Sequence, residues 1–448
     1  MPCSLMDVND LRLVSPECVD LEPEDFDQAV QLSNPVLGET AQWHTYLNGL
    51  ALQGFIRWIK EQDPSIAIDQ QNCSIVKPQY ASVLNAVCNL RLENFQVCLV
   101  ATERLLDEVV AIPAATLDLP DFNAHFYIVV EVQEEQAQII IRGYSQYDSI
   151  GRYRQRVDLS PDDQWNYAVP LSLFDAEPNH LLFQSKFLDA AAIALPDSIA
   201  PALTRQWAMS SPVTQAELSS LLSHRHSSQF NFGQVLSWPQ GATLLRSSKL
   251  LDLFYQWQQS SESSRSLYIR LIEVFTLITQ RAINTANWLC TELDDFSQSL
   301  GWYSPQMLAA GASGFRSVNR FNVAIDDLKY QGMDIPEQSQ PVYKNIELSG
   351  ELLQVCSMTW ALSPLSVAPQ WALLVILRTQ MGDLLPDRLR LRVTDLTGVS
   401  QEEEALDTEL LYVRGHASLG KNLVATIISP TGEGLSLTPY GFESGALE

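Results

Sequence analysis

The stretch HFYIVVEVQEEQAQIIIRGYSQYDSI, residues 125–150, decides the fold of the N-terminal part of the chain, because its apolar residues recur at every second position. Successive side chains of an extended strand point to opposite faces, so these residues would share one face. The chain turns near residues 133–136 and returns through Ile139–Ile141, which predicts a β-hairpin. The shared face consists of Phe126, Ile128, Val130 and Val132.

Two helices are predicted ahead of this hairpin. Pro23 has acidic residues on both sides, which suits the first turn of a short helix over Pro23–Leu32. A longer helix is predicted over Thr40–Gln62, where apolar residues recur at intervals of three and four and form one stripe. Such a stripe is typical of core packing, so we expect the helices to cover the apolar face of a sheet.

The sheet is predicted to be mainly antiparallel and to span about residues 72–175. Strand-like runs at Val87–Leu92 and Phe95–Thr102 flank Glu93 and Asn94, a pair that predicts a tight hairpin. Two further stretches are candidates for additional strands: Arg152–Val157 and Tyr167–Leu173.

The helical period returns after the sheet and gives way to strands near the end of the chain. An apolar stripe between Leu267 and Phe296 indicates helices over residues 182–300, with a serine-rich loop at 258–266. The run QWALLVILRT, residues 370–379, is apolar on both faces and predicts a fully buried strand. Short strand-like runs joined by turn residues follow, which is typical of a small β-sandwich.

The expected fold class is therefore α+β, with N-terminal helices packed on a mainly antiparallel sheet, a helical middle region and a C-terminal β-sandwich-like domain. We expect four parts along the chain. They are a helix-plus-antiparallel-sheet domain over 1–180, a helical region over 181–302, a linker over 303–345 and a β-sandwich-like domain over 346–448.

Composition argues against several classes of function. The chain has 28 basic and 53 acidic side chains, for a net charge of −25, which repels nucleic acid and anionic lipid and favours basic partners. The longest apolar run, Trp371–Leu377, is too short to span a bilayer. The cysteines are scattered and contain no C-x-x-C pair, so neither a disulfide framework nor a zinc site is indicated. We expect a cytoplasmic protein that binds neither nucleic acid nor membrane.

The segment LLYVRGHASLGKNLVATII, residues 410–428, places Gly415, Gly420 and Lys421 at the spacing of a phosphate-binding P-loop. A P-loop also needs Ser or Thr at its eighth position and a helix that begins at the loop. Here the eighth residue is Asn422, and the β-branched residues after it are typical of a strand. The favoured interpretation is a hairpin in which both glycines are turn residues, and no cofactor is expected.

Two groups of residues that contain histidine are candidates for chemistry. His224 and His226 form an H-x-H pair without the further ligands that zinc needs, so a solvated loop is favoured and no metal is expected. His125, Tyr127 and Glu131 share one strand face, where a histidine–glutamate pair can act as acid and base. Any half-exposed strand produces the same arrangement, so these three residues are only weak candidates for catalysis.

Arg388, Arg390 and Arg392 alternate with apolar residues in DRLRLRVTD, residues 387–395, and are the candidate partner surface. An outward basic ladder in an otherwise acidic protein can receive an acidic partner. The alternative is the solvated side of an edge strand, which charge protects from aggregation.

Several motifs, taken in order, resemble one family. Trp43, Tyr46 and Leu47 match W-x-x-Y-L, and Ile112–Pro113 follow as an IP-containing connection. The hairpin AHFYIVVEVQEEQ and the motif GYSQYD come next, at residues 124–136 and 143–148. In this pattern the chain resembles a cyanobacterial family of unknown function, number 1822, over most of its length but only weakly through about 300–345. The resemblance implies a cyanobacterial, non-secreted protein, and it implies no activity.

The leading hypothesis is a non-catalytic regulatory or scaffolding protein that binds an unidentified protein partner. It depends on the predicted sandwich, the acidic surface and the missing catalytic signatures. The alternative is an enzyme or a small-molecule sensor with its site on the N-terminal sheet, at His125, Tyr127 and Glu131. A deep pocket where these side chains converge would favour the alternative, and an exposed apolar patch would favour the leading hypothesis.

Overall fold

The computed structural model describes residues 17–103, 108–200, 203, 232, 236–260, 265–289, 293–308, 312–362 and 369–443. Contacts within the chain divide it into two compact units, Met1–Glu262 and Ser263–Glu448. The fold is α+β, as predicted. The predicted four-part division stays a prediction, and His224 and His226 lie outside the described residues.

The strands of the first unit are β1 (Glu17–Asp20), β2 (Ile68–Asp69), β3 (Val87–Leu92), β4 (Phe95–Thr102), β5 (Val109–Pro113), β6 (Phe126–Gln133), β7 (Gln138–Gln146) and β8 (Asn166–Pro170). The N-terminal sheet has the order β1-β7-β6-β4-β3-β2, and β5 pairs with β8 separately. Its pairings are antiparallel except for β4 with β6, which run parallel. Both predicted hairpins are confirmed, since Leu92 faces Phe95 and Gln133 faces Gln138.

The helices of the first unit are α1 (Pro23–Ser33), α2 (Glu39–Gln62), α3 (Pro78–Ala81), α4 (Ala115–Asp118), α5 (Tyr147–Val157), α6 (Asn179–Phe187), α7 (Trp238–Leu245) and α8 (Ser248–Gln259). The predicted helices α1 and α2 are confirmed, and they share one apolar core with the N-terminal sheet. α2 packs closely on β7, because a Cβ atom at Gly54 would lie 2.5 Å from Cγ1 of Ile139. Shorter 3-10 helices occupy Ser74–Val76, Pro120–Phe122, Glu134–Gln136, Leu171–Leu173 and Ala190–Ala192.

The prediction of a strand over Arg152–Val157 is wrong, because α5 occupies these residues. Asp148 lies in the first turn of α5 and Arg154 in the last turn, where their charges favour the helix dipole. The stretch Tyr167–Leu173 does contain most of β8, but this strand pairs with β5 and not with the N-terminal sheet.

The strands of the second unit are β9 (Ile283–Asn284), β10 (Trp302–Tyr303), β11 (Val342–Leu348), β12 (Glu351–Leu362), β13 (Gln370–Thr379), β14 (Arg390–Thr394), β15 (Val399–Glu404), β16 (Leu410–Ser418), β17 (Val424–Ile428), β18 (Gly434–Ser436) and β19 (Tyr440–Gly441). β10-β11-β12-β13-β16 form the long sheet, β15-β14-β17-β18 form the short sheet, and β9 pairs with β19. The helices are α9 (Arg265–Thr279), α10 (Asp295–Ser299), α11 (Pro305–Leu308) and α12 (Ala312–Tyr330), with a 3-10 helix at Thr285–Leu289.

The two sheets of the second unit form the predicted sandwich. Inward side chains of both sheets share one apolar core, to which Val375 of β13 and Val393 of β14 belong. The opposite face of the long sheet packs under α12, through Phe321, Ile325 and Leu328. Because β13 is covered on both sides, its prediction as a fully buried strand is confirmed.

Residues 303–345, predicted as a linker, carry α12 and the start of β11, and their role as a linker stays a prediction. The apolar stripe of α12 is not recognised in the sequence, because glycines and polar residues surround it. Among the helices of the described segments, none is both long and apolar enough to cross a membrane.

The P-loop-like segment connects the two sheets, since β16 belongs to the long sheet and β17 to the short sheet. It is therefore a crossover and not the predicted hairpin. Gly420 is a turn residue as predicted, with a φ of 78°. Gly415 is not, because it lies inside β16, where a Cβ atom would come within 2.5 Å of Cγ1 of Val393. The strand β17, and not a helix, follows Lys421, so the context of a P-loop is missing.

Candidate protein-interaction surface

The three arginines predicted to form an exposed ladder do not form one. Arg388 is exposed but precedes β14, with a φ of 67°. Arg390 is half-buried, and its Nη1 atom lies 3.0 Å from Oε1 of Glu402. Arg392 is buried, and its Nε atom donates to Oε1 of Glu273 at 2.5 Å. The prediction of an outward ladder is wrong for Arg392, because α9 covers this face of the short sheet.

The contact between Arg392 and Glu273 links β14 to α9. The side chain of Glu273 is 0% exposed and that of Arg392 is 5% exposed. Arg270, on the same helix, approaches Oε2 of Glu273 only to 3.6 Å. A buried charge needs a partner to offset its loss of hydration, so Arg392 has a structural role and is not available to a partner protein.

Large apolar side chains are exposed at one end of the sandwich. They lie at the start of β12, on the loop between β13 and β14 and on the loop between β15 and β16. We refer to these residues as the apolar rim: Leu352 (53% exposed), Met381 (79%), Leu384 (55%) and Leu406 (79%).

Backbone hydrogen bonds join the segments that carry the apolar rim. Leu385 N donates to Thr408 O at 2.7 Å, and Ala405 N donates to Leu389 O at 2.7 Å. Leu406 lies between these two contacts and Leu384 directly precedes the first, so both are held on neighbouring loops. Gln380 N donates to Leu352 O at 3.0 Å and connects the third segment.

The loop at Met381 has a defined shape. Thr379 Oγ1 donates to Asp383 O at 2.9 Å and accepts from Gly382 N at 3.1 Å. Gly382 has a φ of 86°, a left-handed conformation that favours glycine. Arg320 of α12 donates from Nη1 to Met381 O at 2.8 Å. The exposed methionine is thus presented by a backbone that is fixed on both sides.

Acidic side chains surround the apolar rim. The exposed acids on the two loops are Asp383, Asp387, Asp407 and Glu409. The exposed cations near them are Arg320 and Arg388. Because the acids outnumber the arginines, this end of the second unit attracts positive charge.

The three candidates for catalysis in the first unit each form a hydrogen bond within the fold. His125 Nδ1 accepts a hydrogen bond from Gln96 N at 2.9 Å, and burial lowers its pKa. Tyr127 is fully buried, and its hydroxyl donates to the carbonyl of Thr116. Burial raises the pKa of Tyr127 well above its ordinary value.

Glu131, the third N-terminal candidate, is buried and accepts from Nε of Arg142 at 2.5 Å. Residues two positions apart on a strand lie roughly 7 Å apart, and these side chains turn to separate partners. The structure therefore does not bring His125, Tyr127 and Glu131 together. Within the described segments, there is no cluster of three histidine, cysteine or acidic side chains that could hold a metal ion.

The sequence contains one signal for the apolar rim. Leu384 and Leu385 stand between Asp383 and the pair Pro386-Asp387, in a segment of turn-forming residues. Large apolar residues in such a segment either anchor a loop or remain exposed for binding. Here Leu385 is buried and Leu384 is exposed.

These features define the class of protein: a two-unit α+β protein with a β-sandwich that exposes apolar loop residues. The family described as "Protein of unknown function (DUF1822)" matches residues 19–421, and the chain belongs to this family. The family resemblance seen in the sequence is confirmed, whereas a cyanobacterial origin stays a prediction. A search of curated proteins finds no match to the chain.

Proposed function

We propose that this chain is a non-catalytic regulatory or scaffolding protein that binds a protein partner through the apolar rim. The observation that carries the proposal is the exposure of large apolar side chains on loops that backbone hydrogen bonds hold in place. Apolar residues exposed together and surrounded by polar groups mark interaction sites more often than isolated exposed leucines do. The cytoplasmic location and the lack of nucleic-acid binding remain predictions from composition.

A partner that covers the apolar rim should gain substantial binding free energy. Full burial of one leucine or methionine side chain contributes about 1.5–3 kcal/mol. Leu406 and Met381 are each 79% exposed, so most of this gain is available to a partner at these two positions. Loops that are already ordered lose little conformational entropy on binding, which favours affinity at a given contact area.

The chemistry of the surface indicates the chemistry of the partner. Apolar side chains surrounded by Asp383, Asp407 and Glu409 suit a segment that carries apolar anchors together with lysine or arginine. Attraction between exposed charges is screened by salt, so association should slow as ionic strength rises. The free energy contributed by the apolar contact should depend less on salt concentration.

The test is affinity purification of the tagged full-length chain from its native cell. We expect a stoichiometric protein partner with the unaltered chain and its loss with the double variant Leu384→Asp/Leu406→Asp. The matched control is Tyr330→Asp, since Tyr330 is 95% exposed at the end of α12 and lies outside the rim. Circular dichroism should show that both variants fold. The proposal fails if there is no stoichiometric partner, or if the double variant retains the partner as well as the control does.

A further inference from the structure

The first unit contains a cleft whose lining residues have no role in the sites described above. Two cavities, of about 260 Å³ and about 430 Å³, are both lined by His44 and Asn85. We refer to them as the inner and the outer chamber of the His44 cleft. We infer that this cleft is a binding site for a small, uncharged planar heterocycle of about the size of a nucleobase. This inference is independent of the proposed apolar rim, which belongs to the second unit.

Regular elements and their ends position the lining side chains. The first turns of α2 place Thr40 and His44 at the cleft, and Asn85 lies two residues before β3. Trp165 immediately precedes β8, and Trp238 is the first residue of α7. Residues that end or precede such elements have a fixed backbone, so the cleft is largely pre-formed.

His44 and Asn85 offer hydrogen bonds that the protein does not use. Asn48 Nδ2 donates to Asn85 Oδ1 at 3.0 Å, which leaves Asn85 Nδ2 as a donor for the cleft. Behind it, the buried Oδ1 atom of Asn48 has no hydrogen-bond partner. Within the described part of the chain, the imidazole of His44 makes no hydrogen bond to a protein group. A ligand with both donor and acceptor atoms can satisfy this pair of side chains.

Trp165 and Trp238 form an aromatic wall of the inner chamber. Their indole N–H groups are bonded to the protein, so only ring carbon atoms are available to a ligand. Trp165 Nε1 donates to Leu236 O at 3.0 Å, and Trp238 Nε1 donates to Asp118 Oδ2 at 2.8 Å. The ring centroids of the two tryptophans are 5.8 Å apart, with 55° between their planes. With their polar atoms already paired, these rings can offer only their faces and edges, which suits a flat ring.

Asp118 fixes the position of this wall. Its side chain is 0% exposed and forms an ion pair with Arg154. Tyr167 donates to the same carboxylate, at 2.9 Å from Oδ2. A buried carboxylate with three protein partners is costly to displace, so Trp238 is held in one orientation before any ligand arrives.

The charges of the described residues that line the cleft disfavour an anionic ligand. Among the described residues around the two chambers, none is lysine or arginine, and Glu103 lines the outer chamber. Burial lowers the pKa of His44, so its imidazole is neutral at pH 7. Among the described lining residues a phosphate or carboxylate would find no cation, and it would meet the charge of Glu103.

The experiment is isothermal titration calorimetry of the full chain at pH 7.5 with uncharged probes and one charged probe. The uncharged probes are adenosine, cytidine, nicotinamide and indole. The charged probe is adenosine 5′-monophosphate, which shares its ring with adenosine. We expect at least one of the heterocycles to bind, and we expect the monophosphate to bind at least tenfold more weakly than adenosine when adenosine binds.

Two variants test the residues. Asn85→Asp keeps the acceptor that Asn48 uses and replaces only the free donor, and His44→Phe removes the imidazole nitrogens at similar size. Each should weaken binding at least tenfold. Asn34→Asp and His180→Phe, at exposed positions away from the cleft, are the matched controls and should change affinity less than twofold.

Three outcomes would overturn the inference. One is that none of the four uncharged probes binds at millimolar concentration. Another is that the monophosphate binds as tightly as adenosine, which would indicate an anion site. The third is that Asn85→Asp, shown by circular dichroism to be folded, binds the probe with unchanged affinity, which would place binding elsewhere on the chain.

Discussion

Replacement of Arg392 by methionine is expected to destabilise the second unit by about 3 kcal/mol, because it leaves the carboxylate of Glu273 buried without its main partner. Removal of one member of a buried pair generally costs about 3–5 kcal/mol. The lower end applies here, since Arg270 remains 3.6 Å from Oε2 of Glu273. Glu273→Met should cost a similar amount, because Arg392 then retains only Glu402, at 3.8 Å.

The double variant Glu273→Met/Arg392→Met should cost clearly less than the sum of the two single variants. Both charges are removed together, and apolar side chains of similar volume remain at the two positions. The wild-type pair is also incompletely satisfied, since Oε2 of Glu273 and Nη2 of Arg392 have no hydrogen-bond partner. We expect a coupling free energy of at least about 2 kcal/mol between the two positions.

The assay has to read the second unit alone, because global unfolding of a chain with two units is not two-state. Hydrogen exchange measured by mass spectrometry at increasing urea concentration gives opening free energies for peptides from β14 and α9. Arg390→Met is the matched control, since its partly exposed pair with Glu402 should contribute no more than about 1 kcal/mol. Additive single costs, within about 0.5 kcal/mol, would refute the reasoning.

Three further predictions concern other parts of the chain. Gly415→Ala should destabilise the second unit by about 1–3 kcal/mol in the same exchange assay, because the added methyl group would overlap the facing short sheet. An unchanged opening free energy would contradict this prediction. Asp175 raises the pKa of His180, so their pair stabilises the fold fully below the unfolded pKa of about 6.5 and is lost as pH rises through the folded value. NMR titration should show the pKa of His180 falling in Asp175→Asn, and no fall would disprove the pairing. Iodoacetamide should modify exposed Cys18 in the native protein before buried Cys73, because burial raises the pKa of Cys73 to about 12. Mass spectrometry of the native and the urea-unfolded chain tests this order of modification. Equal modification rates in the native protein would contradict it.

Elements with a clear hydrophobic period could be predicted from the sequence. The hairpin within residues 125–150 and the buried strand over 370–379 appear where the period placed them, because each depends mainly on its own apolar pattern. α5 is not predicted, since the segment is mostly polar and buries only Ile150. For this helix the charges at its two ends were the better signal.

The misplaced side chains have a different physical cause. Alternation in β14 separates two faces of the strand, but it does not show that α9 covers the face of Arg392. Its partner Glu273 lies more than a hundred positions earlier, and no local pattern relates the two. The same holds for Gly415, whose absent side chain is required by close contact with a strand of the other sheet and not by a turn.

The apolar rim shows why a site of this kind is the hardest part to predict. Leu384 and Leu385 are identical in chemistry and adjacent in sequence, yet one is 55% exposed and the other 3% exposed. Leu385 is buried because its backbone N–H pairs with Thr408 and thereby turns its side chain into the sandwich core. The neighbouring side chain of Leu384 does not enter this core and stays exposed. The exposure of Leu384 thus accompanies a contact between two loops, and the apolar rim exists only after the sandwich has formed.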